Sequence, residues 1–498
     1  MLFKNKIKDM AYEYVINMKH GYNPQIIANR KYLNSLKKDY VLNILDLSVE
    51  TFCKTYKPFK VRDFVYKNDY FTPRNMYLIN PLYYLYYTYL VFLITKEYFG
   101  KNEINFSKKN MSIFYSGYLN FGFSKIQIRK NVMYYSSYKR FQKVLRRYRG
   151  KPALKIDIKD FFNSIKVNEL ITKLRNMLGD IKYVNDLKVF FEYCEIDSLP
   201  QFHFSIASSI LSQFYLTDFD SKLQRLLIND NLQLIRYVDD MYILFLDGIE
   251  DNKKANELLN EISFYLWEDL LVLNSSKTEF LSASQFNLIS DTLKDSYEEN
   301  YYNKFSSSSI IENHAINIIE AGKLNFVVET LCDIEKYHGI DLQLYRKLME
   351  EHISINGGEV NKVLNNILFS EKWKVLSETD LLKLVENWKY IYFNPYHFTI
   401  LYLKIYRYLE KKGVINNDGQ KIRRIFNHLF KNDRSTLRDT LIAVTYLFQS
   451  NLKHRDLINK IREVNPDYVN FIQCFIIDTE FESIKVMNSN SSKSTINN

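Results

Sequence analysis

The chain has 498 residues and carries 68 Lys and Arg against 57 Asp and Glu, a net charge of +11. That length exceeds one ordinary domain and predicts two or three. Hydrophobic residues make up 46% and charged ones 25%, which excludes wholesale disorder, and the positive surplus points to a polyanionic partner such as nucleic acid or an anionic membrane. The aromatic share of 16% identifies no partner by itself, because an AT-rich coding sequence raises Tyr, Phe, Ile, Asn and Lys together.

The N-terminus, MLFKNKIKDMAYEY, alternates in charge and lacks the apolar core of a signal peptide. Cys53, Cys194, Cys332 and Cys474 are too scattered for a zinc site or a disulfide framework. These features predict a reduced, cytoplasmic protein. Residues 75–95 hold no charge and are long enough to cross a bilayer, yet they include Asn75, Asn80, Pro81 and six tyrosines. A buried core helix beginning near Pro81 is the expectation, with no membrane partner.

Between Ile104 and Ile156 there is no acidic residue and there are 13 basic ones, among them Arg129, Lys130, Lys139, Arg140, Lys143, Arg146 and Arg147. Tyr134, Tyr135, Tyr138, Phe141 and Tyr148 interleave with them. A solvated helix face normally mixes both signs. A run of one sign with aromatic rings fits phosphate contacts and base stacking, so this zone is the expected nucleic-acid surface.

Residues 153–165, ALKIDIKDFFNSI, alternate around Asp157 and then shift toward a helix. Residues 203–226 read as helix. Residues 232–246, LQLIRYVDDMYILFL, are two apolar runs broken by Asp239 and Asp240, the pattern of a strand, a tight turn and a returning strand. Residues 254–270 read as helix and LVLNSSKTEFL as a further hairpin segment. Acids in an apolar strand setting are costly unless they meet a cation, and a divalent metal with oxygen ligands is the usual partner. Aspartates at a turn can also be turn formers alone.

Beyond residue 282 a polar, Ser-rich stretch reads as a linker or surface excursion. Nearly every later segment has helical periodicity with short connections, which predicts stacked helical pairs. The closing NSNSSKSTINN reads as a disordered tail.

KIDIKDFFNSI at 155–165 and RYVDD at 236–240 resemble the palm signature of reverse transcriptases. The resemblance implies that Asp157 and Asp239 ligate two Mg²⁺ ions, with Mn²⁺ as a substitute, and that Asp240 completes the acidic cluster. Asp160 matches a position whose backbone touches the triphosphate, and Phe162 the ring that excludes a 2′-hydroxyl. SLPQF at 198–202 resembles the LPQG segment, with Gln201 as the matching residue and Phe202 where that family has Gly. Ser205 or Ser208 takes the place of the usual serine, depending on alignment. LNSSKTEF resembles a later palm segment in which Lys277 approaches phosphates. YKNDYFTPRNMYLINP resembles the fingers hairpin, where Lys67 and Arg74, seven residues apart, grip the triphosphate.

The layout resembles the bacterial abortive-infection and related defence-associated reverse transcriptases. It implies an α+β fold: right-hand fingers and palm followed by an all-α, HEAT-like repeat domain. The expected divisions are fingers with the basic zone at 1–150, palm at 151–285, helical repeats at 286–485 and a tail at 486–498. It also implies dNTP substrates, a DNA product that can be attached to the protein itself, closed homo-oligomers, dependence of some relatives on a noncoding RNA, and antiphage defence. The sequence names no priming residue. Two alternatives stand beside this reading. One is a template-copying enzyme of retron or group II type. The other is a non-catalytic nucleic-acid-binding scaffold, whose mark would be lost carboxylates.

Overall fold

The computed structural model describes residues 2–18, 23–67, 71–100, 102–117, 119–121, 133–292, 309–355, 359–416, 420–430, 436–449 and 454–477. Two compact units emerge. The first comprises Met1–Val61, Met76–Ser296 and Cys474–Asn498, and the second Arg62–Asn75 with Tyr297–Gln473. The expected divisions at 1–150 and 151–285 thus share one unit, except that Arg62–Asn75 belongs with the C-terminal helices. The expected tail at 486–498 lies outside the described residues.

The first unit is built on a five-stranded sheet. Its strands are β1 (Met111–Phe114), β2 (Ala153–Ile156), β3 (Leu232–Tyr237), β4 (Asp240–Phe245) and β5 (Glu279–Leu281), in the order β1-β3-β4-β2-β5. β1 runs parallel to β3, and the remaining pairs are antiparallel. The Ile and Leu content of the two central strands suits burial on both faces. The expected hairpin at 271–281 takes another form. Its two arms do not pair with each other. Leu273 bridges Ile158, and Glu279–Leu281 pairs with Ala153–Lys155, so both arms lie against β2 and the chain after it.

The helix Pro81–Phe99 explains the charge-free stretch. Asn80 caps it by accepting the Leu82 N–H at 2.9 Å, Pro81 occupies its first turn, and Gly100, at φ 62°, ends it. Every residue from Pro81 to Thr95 is buried. Two of its tyrosines donate to carbonyls of neighbouring segments, Tyr84 to His203 at 2.9 Å and Tyr86 to Leu47 at 2.8 Å. Such satisfied hydroxyls belong to a protein core. Among the described residues no helix is long and apolar enough to cross a membrane.

The Ser-rich stretch after residue 282 begins as a helix, Ala283–Thr292, and not as a linker. Phe286 is fully buried, and the Asn287 side chain accepts the Gly150 N–H at 2.8 Å. One apolar anchor and its docking contacts outweigh the polar composition.

A buried ion pair braces the sheet. Arg236 on β3 is 0% exposed and Asp220 is 2% exposed. The guanidinium donates to both Asp220 oxygens, at 2.6 and 2.7 Å, and to Gln213 at 3.0 Å. Such a fork is geometrically specific, and removing one partner leaves an uncompensated buried charge. Asp220→Asn is therefore expected to lower stability by about 3–5 kcal/mol in urea melts. A change below about 1 kcal/mol would show that the pair does not brace the sheet.

The second unit is helical. Ser309–Glu320 packs on Val360–Phe369, Glu378–Glu386 on His397–Lys411, and His397–Lys411 on Leu437–Gln449. His397 is buried, with Nε2 2.8 Å from Asn365 Oδ1 and Nδ1 3.2 Å from Asn394 Oδ1. Burial pushes its pKa from 6.5 down to about 3. The unfolded chain thus takes up a proton first as pH falls. The stability from neutral His397 is whole above pH 6.5 and is lost progressively toward pH 3. His397→Gln should flatten this unit's acid destabilisation by up to about 1.4 kcal/mol per pH unit. Equal slopes in the two proteins would contradict that assignment.

Candidate active site

β3 and β4 meet in a two-residue turn, because Tyr237 pairs with Asp240 and leaves Val238 and Asp239 at the tip. Val238 has φ 57°, a conformation that glycine usually fills in such turns and that a β-branched residue adopts only under strain. Its side chain is 4% exposed, so packing holds it there. The turn therefore presents Asp239 and Asp240 in a fixed direction.

β2 brings the third acid. Ile156 lies opposite Met241, and the same register continued one residue sets Asp157 across from Asp240. The three acids influence one another electrostatically. Burial pushes the Asp239 carboxyl up to about 7, followed by the charges of Asp240 and Asp157. The Asp240 carboxyl rises to about 6 through loss of hydration and then the Asp157 charge, with Lys277 and Lys155 opposing. Asp239 bears the charges of both other acids and Asp240 that of Asp157 with two lysines opposing, which fits the smaller rise at Asp240.

Asp157 is held from the opposite arm. The Asn274 side chain donates to Asp157 Oδ2 at 2.6 Å, and the Asn274 N–H donates to the Asp157 carbonyl at 2.9 Å. Lys277 Nζ lies 3.5 Å from Asp157 Oδ1. The Asn274 carbonyl accepts from the Lys277 N–H and the Thr278 hydroxyl, both at 3.0 Å, which closes the turn carrying Lys277. Asn274 is a functional candidate that the sequence reading passed over, although it lies in the LNSSKTEF segment. Lys155, paired across strands with Glu279 at 2.6 Å, is another.

Three carboxylates of like charge in one place call for a cation, and an all-oxygen donor set suits a hard divalent ion. The side chains do not stand as a finished cage. Among the described residues no group of three His, Cys, Asp or Glu is gathered closely enough to hold a metal. Asp157 is turned to Asn274 and Lys277 instead.

Asp160, at φ 45°, heads the short helix Phe161–Ser164, and its carbonyl accepts the Ser164 N–H at 3.0 Å. Phe161 is buried, whereas Phe162 is half-buried, 5.5 Å from the Phe161 ring and edge-on to it. The Gln201 carbonyl accepts the Tyr77 N–H at 3.3 Å. Phe202 is buried against Tyr87, ring centroids 5.9 Å apart. Ser205 caps the helix Ile206–Tyr215, and the Ser208 hydroxyl donates to the Pro200 carbonyl at 2.7 Å. Both serines are thus tied to the local backbone.

Part of the basic zone forms the helix Met133–Arg146. Phe141 and Leu145 face inward, and Phe141 packs against Tyr237, 5.4 Å away, just before the acid turn. Lys139, Arg140, Lys143 and Arg147 are exposed, and Arg146 is half-buried, 3.4 Å from the Ser290 carbonyl. Arg140 lies 3.5 Å from Glu103. Arg129 and Lys130 lie outside the described residues. Lys67 and Arg74 belong to the second unit.

The crowding of carboxylates makes a stability prediction. A carboxyl with a raised folded pKa holds protons that the unfolded chain has released, so stability falls as pH rises through that window. Asp239→Asn should therefore melt higher than the parent in metal-free buffer, by about 1 kcal/mol at pH 8, with the advantage shrinking toward pH 4. A lower melting temperature at pH 8 would contradict the crowding.

Residues 117–299 match the family Reverse transcriptase (RNA-dependent DNA polymerase), and residues 315–473 match a Domain of unknown function (DUF8609). The first match contains Asp157, Asp239, Asp240 and Lys277. No curated protein matches the chain. The chain carries a reverse transcriptase domain.

Proposed function

We propose that this chain is a DNA polymerase of reverse-transcriptase type that adds dNTPs by two-metal nucleotidyl transfer. The observation that carries this reading is the register that gathers Asp157, Asp239 and Asp240 at one strand end. Two Mg²⁺ ions, held by these three residues, would activate the attacking hydroxyl and neutralise the leaving pyrophosphate. Asp157 would give up its contact with Lys277, whose amine then turns to phosphate. The Asp160 backbone and Gln201 would bound the nucleotide, and the half-buried Phe162 ring would face its sugar. The exposed cations of the basic helix would bind nucleic-acid backbone.

Priming from a hydroxyl of the protein, synthesis without a conventional template, and a role in antiphage defence complete the proposal. Two features support it. Phe202 fills the core where the resembling family keeps a glycine, and a helical unit, read as HEAT-like repeats, follows the palm. Homo-oligomerisation and a noncoding RNA partner belong to the same reading.

Asp239→Asn combined with Asp240→Asn should abolish dNTP incorporation while the protein stays folded. Retained incorporation refutes the site. Purified protein given dNTPs alone should yield DNA that is covalently attached to protein. Strict dependence on added template and primer favours the conventional template-copying enzyme instead. Phe162→Val should raise the use of ribonucleotides relative to deoxynucleotides by about 10- to 100-fold, read as the ratio of kcat/KM values. An unchanged ratio would remove Phe162 from sugar selection.

A further inference from the structure

The arm that holds Asp157 packs thinly. Leu270 and Val272 are 61% and 60% exposed, and of residues 270–273 only Leu271 is buried. Leu270 also has φ 58°, a conformation that a leucine rarely adopts. Backbone bonds hold the arm where packing does not. The Lys159 N–H donates to the Val272 carbonyl at 2.8 Å, Leu273 bridges Ile158, and the Asn274 N–H reaches the Asp157 carbonyl. The direction from which the Asn274 side chain meets Asp157 therefore depends on where the arm begins, at Asp269.

Charge fixes that beginning. Asp269 is 7% exposed, and Lys173, on the helix Val167–Leu178, donates to its Oδ1 at 2.6 Å. Oδ2 has no hydrogen-bond partner among the described residues, so the buried carboxylate leans on Lys173. The Tyr215 hydroxyl donates to the Asp269 carbonyl at 2.7 Å. The Lys173 amine in turn donates to the Tyr215 carbonyl at 3.1 Å and lies 4.6 Å from the centre of its ring. Lys173, Tyr215 and Asp269 thus close a triangle of bonds, with the exposed Asp218 carboxylate 3.5 Å from the amine. A buried ion pair adds little stability beyond apolar groups of the same shape. What it adds is direction, because each bond has a preferred geometry.

We propose that Lys173 is a positioning residue for the acid site. It fixes Asp269, Asp269 fixes the start of the arm, and Asn274 at the far end of the arm aligns the Asp157 carboxylate for a divalent cation. Every link lies within the first unit. The inference rests on the polymerase reading above and extends the site to a residue outside the segments that carry the acids.

The test uses the full-length protein and reads Mn²⁺ affinity without nucleotide, by electron paramagnetic resonance of the free ion, together with dNTP incorporation. Lys173→Met should weaken Mn²⁺ binding about tenfold, the scale on which residues behind a metal ligand act. The KM for dNTP at saturating metal should stay within about twofold, a split that general destabilisation would not produce. Lys173→Arg, which keeps the cation, should recover most of the affinity. In the double variant with Asn274→Ala, Lys173→Met should add little, because both act through one contact on Asp157. Unchanged Mn²⁺ affinity in Lys173→Met, or full additivity with Asn274→Ala, overturns the proposal. Should Lys173→Met fail to fold, Tyr215→Phe removes only the hydroxyl bond to Asp269, and the same criteria apply. Failure of the polymerase reading is distinguishable. There Asp239→Asn would leave incorporation intact, whereas failure of this inference alone would leave Asp239→Asn inactive and the Mn²⁺ affinity of Lys173→Met at the parent value.

Discussion

Like charges forced together by strand pairing are the constraint on which the first unit turns. Four paired residues on each of β2 and β4, and a two-residue turn between β3 and β4, set Asp157, Asp239 and Asp240 at the same end of the sheet. The Asp239 and Asp240 carboxyls respond by holding protons more tightly. The Lys277 charge opposes this repulsion at both carboxyls and the Lys155 charge at Asp240, and Asn274 and Lys277 hold Asp157 from the opposite arm. Val238 adds a strained backbone at the tip. Strain and charge crowding gathered at one point, and braced on every side, are what a functional site looks like in energetic terms.

The abundance of tyrosine has a structural use in this chain. The helix Pro81–Phe99 is buried throughout from Pro81 to Thr95, and its rings stack on Phe52 and Phe190 and meet Phe202 edge-on. A leucine-rich helix would supply the same apolar area. It would not supply hydroxyls for carbonyls at chain turns such as those of Leu47 and His203. The helix thereby ties the turns at Leu47 and His203 to the core, and Phe202 is one of the residues that it anchors.

The hairpin Arg62–Asn75 shows how little sequence proximity decides about packing. It is joined at both ends to the first unit and yet finds its partners more than 250 residues later, in Tyr345, Arg438 and Tyr468. Short strands with few ladder bonds cannot hold themselves, so the partner that buries their rings determines their conformation.

Much of this was legible in the sequence, and the reason is physical. Period-two apolar runs around RYVDD dictate a hairpin, because a one-residue slip would expose its core face. The amphipathic repeats beyond residue 309 dictate helices for the same kind of reason. Pro81 and Gly100 delimit their helix through backbone geometry alone. The residue chemistry of Asp157, Asp239 and Asp240 likewise marked a candidate site. The sequence could not show which arm LVLNSSKTEFL would pair with, since short edge strands carry little register information. Nor could it show that Ala283–Thr292 would dock through Phe286, or that Asn274 would bind Asp157. Arg236 and Asp220 are 16 residues apart and unremarkable until burial joins them. Local periodicity and backbone preference act within a few residues and can be read from the chain. Pairing register, burial of charge and the seating of a weak hairpin depend on distant surfaces meeting, and only the tertiary structure decided them.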